Sequence, residues 1–130
     1  MTEFEVAEIT AANLEVIAAF WNNYETHLGL YLTMLFGYCA AAYVAGSKLS
    51  KFQVGIISIM FVAAAEIQVI SMIKWANATQ SMIVAASEMN PAVPEQAIPH
   101  WMRPLGMIVW ELGILGSLSF MWSIRRQKQQ

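Results

Sequence analysis

FQVGIISIMFVAAAEIQVISMIK, residues 52–74, is the stretch on which the fold turns. It is predominantly apolar, with Glu66 and the closing Lys74 its only charged residues, and its length matches the ~20 residues an α-helix needs to cross ~30 Å of hydrocarbon. Residues 26–47 and 105–124 have the same character, so three transmembrane helices are expected. The composition agrees: 58% of the 130 residues are hydrophobic and 12% are charged, more apolar than the ~45–50% usual for soluble domains. The length supports one membrane domain, residues 1–130, of an all-α integral membrane protein.

Charge is sorted around these spans. Lys48, Lys51, Arg125, Arg126 and Lys128, five of the seven basic residues, lie beside span ends on one side. Glu3, Glu5, Glu8, Glu15, Glu25, Glu88 and Glu95 lie on the other, with Lys74 and Arg103. Basic residues mark the cytoplasmic face, which predicts an external amino terminus, an internal 48–51 turn, an external 75–104 segment and a cytoplasmic tail, 125–130. The acidic start MTEFEVAEIT is unlike a secretory signal, so span one reads as an uncleaved anchor in a bacterial or archaeal plasma membrane, a cell inner membrane. Trp21, Tyr24, Trp75 and Trp101 fall at expected outer ends and Tyr43 and Trp122 at inner ends, where aromatic belts form.

Between the spans, local signals predict the connections. Thr2 followed by Glu5 is a capping box, and Val6, Ile9, Val16, Ile17 and Phe20 recur at roughly helical spacing, so residues 1–24 are expected to hold an external, acidic, amphipathic helix over 2–22 that either docks on protein or stands solvated as it leads into span one. The short GSKLSK turn at 46–51 predicts an antiparallel hairpin of spans one and two. No glycine or proline interrupts 76–90, so span two is expected to continue as a helix to about Asn90. Pro91, Pro94, Pro99 and Pro104 then predict an extended strut or lid. No internal repeat is present.

Two acids lie inside the spans, where an ionisable group is costly and is by default a functional hypothesis. Counting ~1.5 Å per residue from the outer ends puts Glu66 about 12 Å deep and Glu111 about 9 Å deep, one layer in which they would meet. Tyr31, Thr33 and Gln68 are candidate hydrogen-bond partners for them, and Lys74, two turns away, is a candidate counter-charge, with snorkelling to the outer headgroups the simpler expectation for it. Two readings stand: polar glue between helices, or a route for protons, cations or a small polar ligand. Small residues at four-residue spacing on span one, Gly29, Thr33, Gly37, Ala41 and Ala45, and on one stripe of span three, Gly106, Gly113 and Ser117, predict close helix packing. On span three that stripe and Glu111 occupy different faces, so one face is expected to meet a second subunit.

Several function classes are excluded or left without a signature. The net charge of -2 and the lack of a basic patch interleaved with aromatics exclude nucleic acid as a partner. No catalytic motif marks an enzyme, and no cofactor is predicted. The Glu-x-x-His pairs of a di-metal bundle are absent; His27 and His100 alone would remain as ligands of a haem or metal. The nine methionines form no copper(I) pattern, Cys39 reads as a small buried thiol, and Asn77-Ala78-Thr79 matches a glycosylation acceptor with little specificity. The expectation is an oligomeric or accessory subunit in the bilayer, built from its own copies or with other membrane subunits, and, in a different class, an oligomeric proton or cation pathway through Glu66 and Glu111.

Overall fold

A computed structural model describes residues 2–90, 93 and 102–127. Three α-helices form: α1 (Glu3–Ala45), α2 (Lys51–Met89) and α3 (Met102–Gln127). All three are long and apolar enough to cross a membrane. At ~1.5 Å per residue, the 43 residues of α1 extend about 65 Å and the 39 of α2 about 58 Å, against ~30 Å of hydrocarbon. Roughly half of α1 and nearly half of α2 therefore exceed the thickness of the hydrocarbon.

Local chemistry explains the helix starts. Thr2 accepts from the Glu5 amide while the Glu5 carboxylate accepts from the Thr2 amide, and Ser50 and Gln53 repeat this reciprocal box at the start of α2. Between them, Gly46 to Leu49 form a tight turn in which Ala45 O accepts from both Lys48 N and Leu49 N. Gly46 is needed there for space: a Cβ would press into the Ala42 carbonyl and within 3.3 Å of Met121 Sδ.

The expected separate helix over 2–22 does not form, because Asn22-Asn23-Tyr24-Glu25-Thr26 contains nothing that stops a helix and α1 runs through it unbroken. Its amphipathic reading also fails. Ile9 and Val16 are exposed, whereas Val6, Thr10, Asn13, Ile17, Phe20, Tyr24 and His27 turn inward. That inward set repeats every three and four residues and continues to Tyr31 and Tyr38, the period of a coiled-coil seam. Val54, Phe61, Ala65, Met72 and Thr79 supply the matching seam on α2.

The α1–α2 hairpin is antiparallel, as Asn90 with Thr10, Phe20 with Trp75, His27 with Gln68 and Tyr38 with Ser58 show in turn. The acidic half of α1 thus docks on the extension of α2, around the buried Thr79, Ile83 and Ala86. α3 lies parallel to α1 and accompanies it from Tyr24 to Gly46, touching α1 more than α2. Its buried stripe is Ile114, Ser117, Met121 and Arg125. Span boundaries differ by small amounts from the sequence reading: α1 ends at Ala45, and α3 begins at Met102, so Pro104 sits in its first turn, where a missing amide removes no helical hydrogen bond. Pro91, Pro94, Pro99, His100, Trp101 and Lys128 lie outside the described residues.

Candidate functional site

The middle of the bundle is organised around Tyr31. Only 2% exposed, it sends its hydroxyl across to donate to the carbonyl of Trp110, and the phenol lies where a Cβ on Gly113 would otherwise be. Gly113 is thus the α3 residue whose missing side chain lets Tyr31 reach the helix backbone. One turn on, Ser117 Oγ donates to Gly113 O at 2.9 Å and accepts from Cys39 Sγ at 3.6 Å. Tyr38 stacks on Phe61 at 4.1 Å and shares a 2.6 Å hydrogen bond with Ser58.

Tyr31 also sets the level of the two acids. Trp110, its acceptor, immediately precedes Glu111, and Ala65, in the same buried cluster, immediately precedes Glu66. Glu66 is half-buried and Glu111 is exposed on the surface of the three-helix bundle. Neither makes a hydrogen bond or ion pair among the described residues.

The candidate partners are engaged elsewhere. Tyr31 serves Trp110, Thr33 donates to Gly29 O at 2.8 Å within α1, and Gln68 Oε1 is 2.7 Å from His27 Nδ1. A backbone carbonyl or an imidazole one helix away competes successfully with a carboxyl on a neighbouring face. Lys74 is exposed with its ammonium 5.8 Å from the Trp75 ring centroid, so it tracks its sequence neighbour and not Glu66.

Above the acids, towards the open end of the hairpin, lies a cavity of about 290 Å³ bounded by Tyr24, Ile73, Asn77, Arg103, Met107 and Trp110, among others. Asn77, Ile73 and Glu66 follow one another along one stripe of α2, and Met107 and Glu111 lie one turn apart on α3. Both acids therefore continue, one on each helix, the two walls of this cavity.

The small-residue positions divide. Gly113, Gly106 and Ser117 face the bundle, with Trp110 at 3.7 Å from a Cβ on Gly106. Gly29, Thr33, Gly37 and Ala41 are exposed, nothing lies within 4 Å of a Cβ on Gly29 or Gly37, and only Ala45 is half-buried. Phe36, on the same side, is 73% exposed. Among the described residues no group of three or more His, Cys, Asp or Glu is placed to hold a metal ion. His27 pairs with Gln68, and its suggested partner His100 is outside the described residues.

Sequence reasoning overlooked the His27–Gln68 and Tyr38–Ser58 contacts, although the three-and-four spacing of the seam would have placed all four residues inward. No protein-family model, curated protein or solved structure matches this chain.

Proposed function

We propose that the protein is a small integral membrane subunit whose role is completed by lateral association, with its own copies or with other membrane subunits. One observation carries this reading: Glu111, in the middle of an apolar helix, is exposed with no partner among the described residues. A carboxyl left in hydrocarbon costs several kcal/mol, and a second protein surface is what removes it from lipid. The exposed face of Gly29, Thr33 and Gly37 supports the same reading, because small residues allow a further helix to approach closely. The charge sorting favours an amino terminus outside and a carboxyl terminus in the cytoplasm of a prokaryotic inner membrane, with the α1–α2 extension projecting outward as a docking stalk. The native mass of protein extracted in mild detergent tests the proposal. A homo-oligomer or heteromeric particle is expected; a monomer at every detergent and protein concentration overturns it.

A second reading, an oligomeric proton or cation pathway, is favoured by the cavity whose walls lead to Glu66 and Glu111. In this reading the cavity admits water or a cation from the open end, and the carboxyls bind or relay it around the axis of the assembly. Glu66→Gln is then expected to preserve assembly while flux in reconstituted vesicles falls by at least roughly tenfold, and unchanged flux excludes the pathway.

A further inference from the structure

At the turn end of the bundle, Arg125 is 6% exposed, and its Nη1 is sealed from solvent with no hydrogen-bond partner among the described residues. Arg125 closes the inward stripe of α3, one turn beyond Met121, which packs against Gly46 in the hairpin turn. A guanidinium does not lose its proton, so burial leaves a full positive charge to be balanced. Among the described residues this end holds no acid: 46–51 and 112–127 contain neither Asp nor Glu, while Lys48, Lys51 and Arg126 add positive charge. The carboxyl end of α3 contributes only about half a negative charge against its two arginines.

On an adjoining face of α3, which carries Arg126 and not the inward-facing Arg125, a groove of about 480 Å³ runs along the helix. Leu115, Leu118 and Trp122 make its apolar part, and Ser123, Arg126 and Gln127 make the part nearer the helix end. A guanidinium, a hydroxyl and a carboxamide at the mouth of an apolar channel suit a phosphate diester carrying an acyl chain. We propose that this groove binds one anionic phospholipid, its phosphate held by Arg126, Ser123 and Gln127 at the positively charged turn end and its chain lying along Leu115, Leu118 and Trp122. The bound phosphate then supplies the negative charge that the turn end lacks, in either orientation of the protein across the bilayer.

The test is native mass spectrometry of the full chain in mild detergent supplied with equal amounts of phosphatidylglycerol and phosphatidylcholine of the same acyl length. Retention of one phosphatidylglycerol per chain is expected, with the Arg126→Gln substitution lowering retention about fivefold to tenfold, the effect of one basic residue at a headgroup. Lys48→Gln removes the same charge at the same end but outside the groove and is expected to leave retention unchanged. Arg126 is exposed, so its replacement does not endanger the fold. Trp122→Ala, on the acyl part, is expected to weaken retention of the lipid. Equal retention of the two lipids, equal effects of Arg126→Gln and Lys48→Gln, or binding of inorganic phosphate with no lipid retained would each overturn the proposal.

Discussion

Tyr31 and Gly113 are one device written on two helices. The phenol is buried because α3 offers a backbone carbonyl in place of water, and it reaches that carbonyl because Gly113 carries no side chain. In lipid, where apolar surface gives helices no reason to prefer each other to acyl chains, such a close polar contact is a large part of what docks α3. Gly113→Ala is expected to destabilise the bundle by about 1–3 kcal/mol, because the phenol must move and its hydrogen bond is lost. Gly37→Ala, facing open space, serves as the control and is expected to cost little within one chain. Unfolding of both variants in micelles, followed by tryptophan fluorescence, checks the difference. Equal effects would mean that the Tyr31 contact contributes nothing to docking α3.

At the scale of the element, α1 and α2 are one antiparallel coiled coil that serves two solvents. Near the turn its seam is aromatic and aliphatic, with Tyr38 stacked on Phe61 and Val54 fully buried. Towards the open end the seam turns polar, through His27 and Gln68 to Asn13, Thr10 and Asn90. Polar seam residues cost stability and hold register, which suits a pair of helices too long for the membrane that encloses their other half. Asn13→Leu is expected to stabilise the extension by about 1 kcal/mol while loosening its register. Amide hydrogen exchange over residues 6–20 reads this directly: slower exchange is expected, and faster exchange would mean that Asn13 makes a contact the extension requires.

For the whole molecule, three helices leave two surfaces of different kinds. One is Glu111, a lone carboxyl at mid-helix, and the other is the Gly29, Thr33 and Gly37 face of α1. In a single chain, Glu111→Leu replaces a carboxyl in hydrocarbon with a side chain that lipid solvates well, so the isolated bundle should gain stability. If Glu111 is instead a contact between subunits, the same substitution is expected to weaken association by about 1–2 kcal/mol, roughly fivefold to thirtyfold in the association constant. Native mass across a dilution series separates these outcomes. An unchanged association constant would remove Glu111 from the interface and leave the glycine face as its remaining candidate.

Much of this architecture was legible before any coordinate. Three spans, the antiparallel hairpin, the Thr2 capping box and the continuation of α2 to residue 89 all follow from local chemistry: run length, breaker residues and reciprocal caps act over a few positions and need no partner. The error over residues 2–22 came from reading Ile9 and Val16 into the apolar face, when the seam that packs selects Thr10 and Asn13 by spacing in spite of their polarity. That the candidate partners of Glu66 and Glu111 bond elsewhere was not legible for a different reason. A hydroxyl or carboxamide in a span has several acceptors within reach, and which one wins depends on how far each helix is rotated about its own axis. Sequence alone determined which segments are helical and where they turn back, because those are decided by each residue and its near neighbours. Only the tertiary structure decided that Tyr31 serves Trp110, that His27 holds Gln68, and that Glu111 and Arg125 are left without partners among the described residues, because helix rotation is set by the packing of all three helices at once.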